Sequence, residues 1–231
     1  MSQEPSYRYQ YGGKMVSTKI QDPTFQNIGL FSKITDLPIL LGSILVIEVI
    51  VIFFSRYFPH ILGKNINKWY DEFGINAVIA DVLIVFIGFL IARFAWSSYF
   101  QEKYGWNILY FIGLVVFIQA LHDLFFYNAI IKPLPKGHNE MIDVMKDYSE
   151  EASGKAVFSD SLIVIGSGLL ASVAKGLPFE WQVAMSAIAA YIIPYILYTP
   201  AKFPIIPKDE SQKEKQDQGQ MPVKVPWNPR Y

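Results

Sequence analysis

Five apolar runs, each close to the length a helix needs to cross a lipid bilayer, constrain this chain more than any other feature. They fall at 37–54, 75–96, 106–131, 157–174 and 181–198. A helix covers the hydrocarbon core in ~17–25 apolar residues. A helix in a soluble core normally keeps a polar face, which these runs lack. Charged residues make up 17% of the chain, below the roughly 25% usual for soluble domains, and they gather between the runs and at the chain ends. The expected fold is all-α, a polytopic transmembrane bundle of five spans. The fourth run is the weakest, because it carries Asp160 and several Gly and Ser residues, and a re-entrant or internally packed segment is its alternative.

This divides the chain into a polar, aromatic N-terminal tail at 1–33, the bundle at 34–198, and a Pro-rich, charged tail at 199–231. The first tail reads as loop, with Phe25, Ile28 and Phe31 forming an interfacial approach to the membrane. No short apolar segment resembling a cleaved signal precedes the first run, so that run is expected to act as the insertion signal. Between the third and fourth runs, Met141, Val144, Met145 and Tyr148 recur at helical spacing. Asn139 stands before them as an N-cap, so 139–152 reads as a short amphipathic helix that lies on the membrane surface or docks a partner.

Composition narrows the chemistry. Cysteine is absent, which excludes disulfides, a thiolate nucleophile and Cys-ligated metals. Twenty basic residues balance twenty acidic ones, so charge points to no nucleic-acid partner. No glycine-rich nucleotide motif is present, and no cofactor is expected. Five spans place the termini on opposite sides. Arg56, Lys64, Lys68, Lys132, Lys136, Lys146, Lys155 and the C-terminal tail outnumber Arg8, Lys14, Lys19, Lys33, Lys103 and Lys175 on the other side. That bias puts the C-terminal tail on the cytoplasmic-equivalent side, and Arg93 is expected to snorkel toward the N-terminal side.

Ionisable groups inside spans are costly in lipid and usually face the bundle interior. Here they are Glu48, Asp81, His122, Asp123 and Asp160, with Gln119 nearby. At ~1.5 Å per residue, Glu48 and Asp81 lie about 9 Å from the C-terminal-tail side and Asp123 about 12 Å. All four carboxylates therefore share one leaflet half, and Gln119, His122 and Asp123 share one helical face. Three roles fit such a layer: hydrogen-bonded ties between helices, a proton or ion path, or a carboxylate–imidazole metal site. Structural ties are the commonest of these. A single His and no Glu-x-x-His pair weigh against the metal, so no metal ligands are assigned. No catalytic residue is assigned either. Asp160 is expected mainly to cap the fourth helix.

Small residues at Gly166, Ser167, Gly168, Ala171 and Ser172, then Ala184, Ala187, Ala189 and Ala190, predict close packing between the fourth and fifth helices, with a homo-oligomer contact as the alternative. The last residues include Pro226, Trp227, Pro229, Arg230 and Tyr231, an extended aromatic segment of the kind that binds along another protein's surface, with a plain linker end as the alternative.

The stretches Ile66-Asn-Lys-Trp-Tyr-Asp-Glu-Phe-Gly74, Ala80-Asp81, His122-Asp123-Leu-Phe-Phe-Tyr127 and Ile131-Lys-Pro-Leu-Pro-Lys-Gly-His-Asn139 resemble uncharacterised multi-span membrane proteins of large double-stranded DNA viruses of the giant or algal type. The resemblance runs from about Asn65 to Tyr198 and leaves out both tails. It implies a structural protein of the virion internal membrane, or of the host endomembrane that supplies it, associated with the capsid. Lipid on one side and capsid or other structural proteins at both tails are the partners it implies. The family supplies no catalytic residues to carry over. A transporter, a channel or an intramembrane metal-dependent enzyme built on the polar layer is the competing expectation.

Overall fold

The computed structural model describes residues 8–11, 14–17, 24–152 and 154–201, with side chains described for 24–151 and 158–201. The proposed partner-binding residues Pro226, Trp227, Pro229, Arg230 and Tyr231 lie outside the described residues. Within the N-terminal tail, read as loop, strands β1 (Arg8–Tyr11) and β2 (Lys14–Ser17) pair as an antiparallel hairpin. Everything else regular among the described residues is helical.

Helix α1 (Leu37–Tyr57) starts after a 3₁₀ turn at Ile34–Asp36 with Pro38 in its first turn, where proline needs no donor. A four-residue turn α2 (Pro59–Leu62) leads into α3 (Lys64–Phe73), which carries Trp69 and Tyr70 back into the bundle. Helix α4 (Ile75–Ala95) continues through a π turn at Trp96–Phe100 into α5 (Gln101–Tyr104). Helix α6 (Ile108–Phe126) is N-capped by Asn107, whose side chain accepts from the Tyr110 N–H, and runs on through a second π turn at Tyr127–Ile131. Then come α7 (Glu140–Ala152), α8 (Gly154–Ala174) and α9 (Phe179–Leu197). The expected cap on α7 is present, since Asn139 Oδ1 accepts from the Ile142 N–H at 3.1 Å.

Among the described residues, four helical stretches are long and apolar enough to cross a membrane: Ile34–Tyr57, Ile75–Tyr104, Ile108–Ile131 and Phe179–Leu197. Phe158–Ala174 is a shorter apolar stretch. Whole α8 is 21 residues long, about 31 Å at ~1.5 Å per residue, and it runs the length of the bundle. Ser172 and Lys175, at its far end, bond residues 26, 27 and 36. Asp160, near its start, lies close enough to Asp81 and Asp123 to interact with both. The chain therefore enters the bundle at one end, around 25–36, and leaves at the other, where the carbonyl of Leu197 meets Arg56. Because α8 begins at Gly154, Asp160 lies inside the helix and is not its cap.

Helix α1 is the centre of the packing. Both α8 and α9 lie against it, and α4 also touches it. The small residues in α8 and α9 serve these contacts, which corrects the expected close packing of α8 on α9. A Cβ on Gly166 would meet Ile47 of α1, and one on Gly168 would meet Ile112 of α6 and Phe89 of α4. The close approach of α9 falls on Gly42 of α1, where a Cβ would stand 1.9 Å from Ser186 Oγ and 3.1 Å from Ser186 Cβ. Lipid gives helices no hydrophobic reason to associate, so such close contact, through dispersion and weak polar pairing, is what holds them.

The amphipathic helix α7 docks within the chain. Val144 is buried, Asn65 Nδ2 donates to the Asp147 carbonyl, and the Glu151 carboxylate accepts from the backbone N–H groups of Lys64 and Asn65 at 3.1 and 2.9 Å. A carboxylate from α7 thus satisfies free donors at the N-terminus of α3.

Gly42→Leu should drive α1 and α9 apart. Overpacking a well-filled contact costs about 1–3 kcal/mol. A lower melting temperature in detergent is expected, whereas Gly113→Ala, whose Cβ would meet nothing within 4 Å, should melt like the wild type.

Candidate functional site: two polar tie points

The polar groups inside the bundle collect at its two ends. At the C-terminal-tail end, α3 presents two aromatic donors to two carboxylates. The Tyr70 hydroxyl donates to Glu48 Oε1 at 2.8 Å, and Trp69 Nε1 donates to Asp81 Oδ2 at 3.0 Å. Glu48 comes from α1 and Asp81 from α4, so adjacent residues of one short helix pin two spanning helices. Burial, with Glu48 and Asp81 beside it, pushes the Tyr70 phenol well above its ordinary pKa. It stays a neutral donor.

Beside this pair sits Arg56, at the end of α1 and 1% exposed. Its Nη1 donates to Asn67 at 3.1 Å and to Asp71 at 2.6 Å, and its Nη2 donates to the Leu197 carbonyl at 2.6 Å. The guanidinium carbon lies 5.9 Å from the centre of the Tyr70 ring. One side chain therefore joins α1, α3 and the end of α9, where the carbonyls of a last helical turn lack partners of their own.

On α6, Gln119 Nε2 donates to Asp123 Oδ1 at 2.8 Å, and His122 Nδ1 lies 3.2 Å from the same oxygen. His122 stacks on Phe126 with ring centres 5.6 Å apart. Asp123 Oδ2 is buried without a hydrogen-bond partner. The six layer residues thus form two groups, Glu48 with Asp81 and Gln119 with His122 and Asp123. Asp160 lies within electrostatic reach of both. Tyr148 of α7 closes over this region, and burial, with Asp160, Asp81 and Glu151 nearby, raises its phenol. It lines a small cleft of about 170 Å³ with His60, Gly63, Glu151 and Ser159. None of the six layer residues lines that cleft. Among the described residues no three His, Asp or Glu side chains converge as metal ligands.

The opposite end holds a tie point that the sequence reading missed. The non-helical segment 25–33 lies against the ends of α4, α6 and α8, and side chains in and beside those ends bond its backbone. Trp106 Nε1 donates to the Phe25 carbonyl, Ser172 Oγ to Gln26, Lys175 Nζ to Asn27, and Ser97 Oγ to Gly29. Arg93 does not snorkel to water. It is fully buried and donates through Nη2 to the carbonyls of Leu30 and Lys33 at 2.5 and 2.7 Å. Asp36 offsets part of the charge, 2.6 Å from Lys175 and 3.9 Å from Arg93. Gly29 admits the contact, because a Cβ there would stand 2.8 Å from the Trp96 ring.

No protein-family model, curated protein or solved structure matches this chain. Its chemistry is therefore read from its own geometry.

Two predictions follow from the C-terminal-tail end. Arg56→Met should strand the Leu197 carbonyl and Asn67. Hydrogen bonds to charged groups contribute about 1.5–3 kcal/mol each, so a clear loss of thermal stability is expected, with Arg56→Lys recovering part of it. The second concerns Asp147, which Lys136 and Lys68 approach at 2.6 and 3.4 Å. The Lys136 hydrogen bond holds its carboxyl below the usual carboxylate range. A depressed carboxylate stabilises the fold fully above its unfolded pKa of about 3.9 and loses that effect as pH falls through the folded value. The melting-temperature gap between wild type and Asp147→Asn should hold steady from neutral pH to about pH 5 and close below about pH 4.

Proposed function

We propose that this chain is a structural integral membrane protein, an anchor in a lipid layer whose tails engage neighbouring proteins. The observation that carries the reading is the consumption of the bundle's polar groups as ties. Glu48, Asp81 and Arg56 each bond a partner on another helix, and Arg93 bonds the entry segment. Groups committed in this way hold helices together.

In this reading α8 is the fifth span, since it runs from one end of the bundle to the other alongside α1 and α6. The two tails then leave on opposite sides. The excess of Lys and Arg at the α3, α7 and C-terminal-tail end orients that end toward the cytoplasmic-equivalent side. The likeness to membrane proteins of large double-stranded DNA viruses supports a virion internal membrane, or the host endomembrane that supplies it, as the site. Capsid or other structural proteins would then be the partners of the tails, with the aromatic segment 221–231 as the contact.

One observation favours a second reading, an ion or proton path. Asp123 Oδ2 is buried without a partner, and Asp160 stands between the two acidic groups. The two readings separate in proteoliposomes. The structural reading expects no proton or cation flux above that of protein-free vesicles, and no change with His122→Ala or Asp123→Asn. A flux that Asp123→Asn abolishes would overturn it. In an assembling particle, deletion of 221–231 should lower the amount of protein incorporated while leaving its membrane insertion intact.

A further inference from the structure

The helix formed by α4, the first π turn and α5 is 30 residues long, about 45 Å at ~1.5 Å per residue. A hydrocarbon core is ~30 Å thick, so the last turns of this helix stand in the headgroup zone. At that level the π turn aligns three rings on one side. Trp96 stacks on Phe100 with centres 6.0 Å apart, and Phe100 on Tyr104 at 6.3 Å. Opposite them, the start of α6 presents Tyr110, Gly113 and Phe117. Between the two walls lies an open, almost wholly apolar groove of about 490 Å³.

Three features identify what fills it. The groove opens outward in the band where acyl chains meet headgroups, since Tyr110 and Phe117 are both exposed there. Gly113 keeps its floor clear, because a Cβ at this position meets nothing within 4 Å. At the rim, the Lys103 ammonium lies 5.1 Å from the centre of the Tyr104 ring. It has no ion-pair partner among the described residues. A cation above an apolar channel at headgroup depth complements an amphiphile with a negative head and an aliphatic tail.

We infer that this groove holds one acyl chain of an anionic phospholipid whose phosphate rests on Lys103. The π turn is what builds the site: it keeps Trp96, Phe100 and Tyr104 in register as one wall while α4 passes out of the hydrocarbon. π turns inside helices are frequent at functional positions. Glu102, the neighbouring exposed residue, offers the lipid phosphate nothing, so Lys103 sets the headgroup preference.

The experiment uses the full chain in nanodiscs of phosphatidylcholine containing a small fraction of lipid brominated in its acyl chains, with tryptophan fluorescence as the readout. Brominated phosphatidylglycerol should quench more than the same fraction of brominated phosphatidylcholine, because Trp96 forms one wall and Trp106 packs 6.1 Å from it. Lys103→Glu should remove the difference between the two lipids. Gly113→Leu, which fills the groove from a position with free space around it, should remove the excess quenching while leaving the melting temperature intact. Equal quenching by both lipids in the wild type would overturn the inference, as would an excess that survives both substitutions. Occupation by a second copy of the chain would overturn it too, and would appear as an oligomer that Gly113→Leu converts to monomer with no lipid-dependent quenching.

Discussion

A polar group left alone in hydrocarbon is costly, and much of the arrangement of this protein follows from that constraint. Helices satisfy their own backbone, but ends, turns and charged side chains do not. The solution here is to bring these exceptions together at the two ends of the bundle. Arg56 takes the last carbonyl of α9 together with Asn67 and Asp71 of α3. Arg93 takes two carbonyls of the entry segment. Arginine suits both positions because its planar fork presents several donors in fixed directions and remains charged when buried.

Between these ends the bundle is held by closeness. Helix α1 meets α9 at Gly42 and Ser186, and α8 at Ile47 and Gly166. The entry segment and α3 act as the two covers of this packing, one threaded over the ends of α4, α6 and α8, the other hung from Glu48 and Asp81. Cutting either cover would expose polar backbone or carboxylates to lipid, so the ties and the packing support each other.

Much of this was legible in the sequence, for a physical reason: a spanning helix is a local property, readable from a continuous apolar run. The α7 cap at Asn139 was legible for the same reason, since a cap and the N–H it accepts from lie three residues apart. What escaped were relations between distant segments. Small residues at 166–172 and 184–190 announce close approach, but a pattern cannot name the neighbour, and α1 proved to be the partner of both helices. Asp160 reads as a cap because the apolar run starts near it, yet α8 begins earlier, at Gly154. Arg93 near the end of a run reads as snorkelling. Only the fold brings the carbonyls of Leu30 and Lys33 to its Nη2, which holds the side chain inside the bundle. The entry segment 25–33 read only as an interfacial approach, since its order is supplied by Trp106, Ser97, Ser172 and Lys175 from distant parts of the chain.

The two ends also differ in chemistry, and the difference bears on where function resides. At the entry end two cations, Arg93 and Lys175, meet backbone carbonyls and a single carboxylate, Asp36, so a net positive charge remains. At the other end two carboxyl groups accept from neutral aromatic donors, Trp69 and Tyr70, and Arg56 is the cation buried beside them. At the surface of that end Lys68 of α3 and Lys136 converge on Asp147 of α7. With the interior largely occupied by ties, the parts of the molecule left free to meet something else are its surfaces: the aromatic groove beside α5 and the outward faces of α6 and α9.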